Sequence, residues 1–203
     1  QGKRCGTPMT AEDGETALAS PADCNSSTSI EDEYAPGDIW EIQVVVHIIT
    51  TTSGTGNLTD EKVESQIRVL NEDFRAIPGS LGEDGTDGKV QFKLATVDPD
   101  GNPTNGITRT ANDTWFQDNG TYWNFLAWDP DRYLNIYTNN PGGGILGYVP
   151  FLPHQGTPGS LSDRVVIWYR AFGDPGTAPP YNRGRTATHE VGHYLGMYHT
   201  FQS

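Results

Sequence analysis

Three of the chain's five histidines, His189, His193 and His199, crowd into one short stretch near its C-terminal end. Their spacing constrains the local fold more than any other feature. His189 and His193 are four apart, so on an α-helix they share one face, one turn apart. Two imidazoles placed this way can reach a single zinc ion. Gly196 stands three residues after His193. Glycine enters the left-handed region freely, so the helix can end there and the chain can turn sharply. The turn brings His199 toward the same metal. Three neutral histidines leave the fourth position of a tetrahedral zinc open for water, the arrangement of catalytic rather than structural sites. Glu190 directly follows the first histidine, where it can touch a zinc-bound water without being a ligand. Zinc would acidify that water, and the carboxylate would take its proton and later return it to a leaving group. The bland alternative is a solvated helix with three exposed histidines. It leaves their spacing without a reason.

The remaining sequence predicts an α/β domain with an appendage. Residues 1 to 39 are poor in periodic apolar residues and rich in Ala, Ser, Thr, Pro and acids, so they read as an extended segment outside the core. The folded domain, residues 40–203, begins at WEIQVVVHIIT (Trp40 to Thr50), which is apolar on both faces and reads as a buried central strand. His47 within it reads as a core residue rather than a ligand. Asn57 to Arg75 predicts an amphipathic helix, with Thr59 as N-cap and Val63, Ile67, Leu70 and Phe74 on one stripe. Further strands are predicted at Val90 to Val97, Tyr133 to Thr138, Ile145 to Val149 and Arg164 to Tyr169. Pro141 to Gly144 lets backbone approach backbone, or a ligand, closely. Asp98 and Asp100 fit turn chemistry better than a calcium loop, because the run lacks the closing Glu of an EF-hand.

Composition excludes some functions. The formal charge of -13 repels nucleic acid and anionic membranes, so neither is expected as a partner. No apolar run approaches the roughly 18 residues of a membrane span. The chain opens with Gln1 rather than Met, which predicts removal of an upstream segment. Sequons at Asn25, Asn57, Asn112 and Asn119 lend weak support to secretion.

The extended histidine motif matches the signature of the metzincins. Within that group the chain resembles the pappalysins, from about Trp40 to Phe201. VVVHII with NLTDEKVESQIRVLNEDFR is similar to the family's first strand and backing helix. DPDGNPTNGITRT, LNIYTNNPGGGILGYVPFLP and GRTATHEVGHYLGMYHTF are similar to its later blocks, in the same order. The resemblance implies a metzincin-like N-terminal subdomain: a twisted mixed sheet with a backing helix and an active-site helix, preceded by an extended pro-segment. It implies zinc as cofactor, secretion as a zymogen, and endopeptidase action on protein or peptide substrates. It also implies that Gly144, Ile145, Leu146, Gly147 and Tyr148 form the upper rim of a cleft and pair with an extended substrate, a general peptide-binding mode.

Only four residues follow His199. The Met-turn expected downstream of the third histidine, the C-terminal subdomain and its specificity pocket are therefore expected outside these 203 residues, and calcium sites belonging to that part cannot be assigned. A zinc-binding fragment without activity, acting as an interaction module, is the competing expectation. KRCGTP (Lys3 to Pro8) resembles the cysteine-switch segments of metzincin zymogens, which share an Arg-Cys-Gly core. On that reading Cys5 fills the fourth zinc position, Arg4 favours the thiolate, and Gly6 lets the backbone pass close to the metal. The alternative is a disulfide between Cys5 and Cys24. No Lys or Arg occurs between Cys5 and Lys62, so activation near residue 39 needs a cut at another residue type.

Overall fold

The computed structural model describes residues 4–8 and 38–199. Cys24, Asn25 and most of the 1–39 segment lie outside the described residues. The central strand is β1 (Trp40–Thr50), buried from Val44 onward. Two short strands share one of its edges end to end. β2 (Val90–Leu94) pairs with Trp40 to Val44, and β3 (Ile107–Ala111) pairs with Val46 to Thr50. The other edge carries β4 (Leu134–Asn139), followed by β6 (Val165–Trp168), both parallel. The last strand, β5 (Gly147–Tyr148), is antiparallel to β6 and closes the order as an edge. The sheet is thus mixed, as the resemblance implies.

A parallel sheet needs cover on both faces. On one face α1 (Asp60–Phe74) and α4 (Arg185–Tyr194) bury Val63, Ile67, Leu70, Ala187 and Val191 against Val44, Val46 and Ile48. The other face is covered by two short helices, α2 (Asp113–Phe116) and α3 (Trp123–Leu126), and by aromatic residues around Tyr122 and Tyr137. Thr59 caps α1, accepting a hydrogen bond from the Lys62 amide at 3.3 Å. Asp60 and Glu61 follow in the first turn, facing the positive end of the helix dipole.

Several predicted boundaries shift. The helix begins at Asp60 rather than Asn57, because Thr59 takes the cap. The strand predicted at 90–97 stops at Leu94, and Val97 makes only an isolated bridge to Pro103. The strand predicted at 145–149 keeps only Gly147 and Tyr148. β3 and the two short helices have no counterpart in the sequence reading. The turn expected at Asp98 is present: its side chain accepts from the amides of Asp100 and Asn102 at 3.0 and 2.8 Å.

His47 is a core residue, 1% exposed. Thr108 Oγ1 lies 2.8 Å from its Nδ1, Asn135 Oδ1 lies 2.9 Å from its Nε2, and its ring stacks on Tyr137. Burial, partly offset by the Asn135 hydrogen bond, holds it near 4, so it stays neutral at neutral pH.

Candidate metal centre and cleft

The fold seats α4 before the histidines begin. The buried amide of Gln66, on α1, donates to the Gly184 carbonyl at 3.0 Å and accepts from the Gly173 amide at 2.8 Å. Asp73, the last residue but one of α1, takes Thr188 Oγ1 at 2.6 Å and pairs with Arg185 at 3.1 Å. Gly184, with φ of 70°, begins the helix in the left-handed region. Its absent Cβ would sit 3.1 Å from the Gln66 amide atoms.

The helix then presents His189 and His193. Gly196, with φ of 95°, turns the chain, and His199 returns to them. The three Nε2 atoms lie 3.0 to 3.1 Å apart. Zinc, with bonds to nitrogen of about 2.0–2.1 Å, spans a triangle of about this size. Nδ1 of His193 donates to the Met197 carbonyl at 2.7 Å, which fixes the tautomer and leaves Nε2 as a lone pair. Burial, then the neighbouring His193 and His199, holds His189 near 4, so at neutral pH its ring carries no charge and can ligate. These residues fit a metal.

The 4–8 segment enters this site from the opposite side. The sulfur of Cys5, a free thiol, and one ring nitrogen from each of His189, His193 and His199 all lie within 4.8 Å of one another. The segment is an added strand parallel to β5: the Leu146 amide donates to the Arg4 carbonyl at 2.7 Å, and the Gly6 amide to the Gly147 carbonyl at 2.9 Å. Thr7 is 1% exposed. Its hydroxyl donates to Glu190 Oε2 at 3.0 Å and accepts from the Val149 amide at 3.0 Å.

Two further contacts hold this segment in place. The Arg4 guanidinium lies over the Tyr181 ring, 4.9 Å from the centroid. Gly6 packs closely on the rim, where a Cβ would meet Tyr148 Cβ at 3.0 Å and Ile145 Cγ2 at 3.1 Å.

Glu190 is 1% exposed and faces Cys5 and Thr7. Burial, and next the charge of Cys5, push its carboxyl up to about 8. A divalent cation in the histidine triangle opposes that rise, because opposite charge favours the ionised form. Of the five rim residues expected to bind peptide, Leu146 and Gly147 supply the backbone bonds to the 4–8 segment. Gly144 and Ile145 line a small adjoining recess beside Trp168, and the Tyr148 side chain turns to the far face of the sheet. Sequence reasoning missed Thr7, Val149, Tyr181, Gln66 and Asp73, whose roles depend on contacts distant in sequence. Beside the histidines a cleft of about 430 Å³ is lined by Cys5, Leu146, Tyr181, Arg183, His189 and Glu190.

Gly147 lies directly against Glu190: an added Cβ would meet Glu190 Cγ at 2.8 Å and the Val166 carbonyl at 3.0 Å. Gly147→Ala should therefore lower stability by about 1–3 kcal/mol through overpacking. A urea midpoint equal to that of the unaltered chain would contradict this close approach.

A mixed sheet, a backing helix and a histidine-bearing helix that turns at a glycine define a metzincin-type chain. A profile of the M43 peptidases, described as pregnancy-associated plasma protein-A, matches residues 107–203. The promirolysin mutant E225A of Tannerella forsythia is 34% identical, over 97% of this chain and 70% of that one, with a TM-score of 0.72. Mature mirolysin in complex with a cleaved peptide is 40% identical, over 81% of this chain and 66% of that one, with a TM-score of 0.65. An extracellular metalloprotease of Pyricularia oryzae is 31% identical over 98% of this chain. The chain belongs to the M43 peptidase family, the pappalysins. It spans 65% of the Pyricularia protein and 53% of a relative from Coccidioides posadasii, an extracellular metalloprotease.

Proposed function

We propose that this chain carries the zinc site of a secreted endopeptidase, with residues 1–39 as its pro-segment and 40–203 as catalytic domain. His189, His193 and His199 hold the zinc, and Cys5 is the fourth ligand of the latent form. The observation that carries this reading is the placement of Glu190. It lies buried beside three converging imidazole nitrogens and beneath an edge strand that already holds an extended segment.

Zinc, when bound, supplies the Lewis acid that acidifies water and polarises a carbonyl. The chain's own residues do the rest. With the 4–8 segment gone, the Leu146 amide and Gly147 carbonyl are free to hold a peptide backbone. Gly147, lacking a side chain, lets that backbone lie close to Glu190. Glu190 takes a proton from the attacking water and returns it to the leaving amine. Protein or peptide substrates are supported by the related enzyme solved with a cleaved peptide. Secretion is supported by the relatives named extracellular metalloproteases.

His193 supplies one ligand and, through Met197, orders the turn that delivers a second. His193→Ala should lower zinc affinity at least about a hundredfold, judged against the 10–100-fold cost of losing an outer-shell partner alone. Zinc retained in full after dialysis against a weak chelator would remove the assignment.

A further inference from the structure

β5 contributes two residues to the sheet and lies at its edge. Its own ladder is a short antiparallel pairing, Gly147 with Ile167 and Tyr148 with Val166. Yet this strand sets the height at which any bound backbone lies over Glu190. Something else must fix it.

The support comes from the opposite face of the sheet. Tyr148 sends its hydroxyl to the carboxylate of Asp118, 2.9 Å from Oδ2 and 3.1 Å from Oδ1. Asp118 Oδ1 also accepts from Tyr122 at 2.7 Å and from the Asn139 amide, on β4, at 2.8 Å. The carboxylate thus joins the edge strand to an interior strand. Asp118 has φ of 59°, a left-handed conformation uncommon for a residue with a side chain. Its amide donates to the Trp115 carbonyl at 3.0 Å, so the end of α2 holds it there. Arg164, 4% exposed, lies over the Trp123 ring at 3.7 Å, with Nη2 3.5 Å from the Tyr148 hydroxyl. A carboxylate, three hydroxyl or amide donors and a buried cation therefore meet beneath one two-residue strand.

We infer that Asp118 and Tyr148 are positioning residues for peptide hydrolysis: the carboxylate tethers the rim strand from behind and so fixes how a substrate backbone lies over Glu190 and the histidines. Neither touches the reacting atoms. The inference rests on the endopeptidase reading, and it makes a demand that a simple packing role does not. Weakening the tether should loosen peptide binding while leaving the chemistry of bound peptide nearly intact.

The test uses the full-length activated enzyme with Tyr148→Phe, which removes one hydroxyl. Asp118→Asn joins it, since asparagine tolerates the left-handed backbone. Loss of a hydrogen bond to a charged group should raise KM for an extended peptide about tenfold. Here kcat per bound zinc should stay within about twofold, and the double variant should be no worse than the poorer single variant, because both cut one link. A KM unchanged in both variants, with only a smaller active fraction, overturns the inference in favour of mere stabilisation. If the unaltered enzyme cleaves no peptide, the endopeptidase reading fails, and the tether is decided by hydrogen exchange in the latent chain. The Leu146 amide should then exchange about tenfold faster in Tyr148→Phe while that of Ile136 is unchanged. Equal protection of Leu146 in both proteins would refute the tether.

Discussion

With Glu190 as the proton carrier proposed above, Glu190→Ala in the full-length protein should lose about three to four orders of magnitude in kcat and keep its zinc, because no ligand is removed. The geometry sets the sign. Glu190 does not belong to the ligand triangle; it stands beside it, with Cys5 and Thr7 against one carboxylate oxygen. Truncation to Ala opens space beneath Gly147 instead of filling it, so the rim strand keeps its place. Zinc content should therefore stay near one equivalent. Glu190→Gln keeps the shape and loses the proton affinity, so it should be nearly as inactive as Glu190→Ala. A glutamine variant retaining most of the activity would show that carboxylate basicity is not used. Loss of zinc from either variant would instead make Glu190 a ligand.

Cys5→Ala should raise the activity of the unprocessed chain roughly a hundredfold, the scale of losing a metal–thiolate contact worth a few kcal/mol. Latency should not vanish altogether. The 4–8 segment keeps two backbone bonds to the rim, and Thr7 still occupies both Glu190 and the Val149 amide. Adding Thr7→Val should therefore release more activity than Cys5→Ala alone. Activity against a peptide substrate, compared before and after removal of the segment, reads both effects. If the Cys5→Ala chain is as inert as the parent with its zinc in place, the sulfur does not hold the enzyme latent.

Local signals carry much of this fold. The both-face apolarity of Trp40 to Thr50 predicts a central strand, and Thr59 with its acidic first turn predicts where the backing helix starts. The histidine spacing predicts the triangle, because helix pitch and one glycine suffice to bring the three side chains together. What stays hidden depends on partners far away. ITRTA has neither strict alternation nor an apolar run; it becomes β3 because β1 offers it an edge some sixty residues earlier in the chain, His47 facing Thr108. Thr7 gains its role only once Val149 and Glu190 stand around it. Arg4 finds an aromatic ring at Tyr181 that no spacing rule could supply. Asp118 reads as an ordinary turn residue until Tyr148 and Asn139 converge on it.

The position of β1 bears on how the chain is made. Among β1 to β6 it is synthesised first, yet its partner on the interior side, Leu134 opposite Val44, follows ninety residues later. At ordinary translation rates that interval is on the order of ten seconds. Throughout it, VVVHII is an apolar, β-branched stretch with an unpaired edge, the composition most prone to intermolecular pairing. The helix α1 emerges sooner and can shield one face, and β2 and β3 then fill one edge, but the edge that takes β4 stays open. Self-association of this nascent strand before β4 is complete should therefore limit soluble yield, and co-expressed chaperones should raise it.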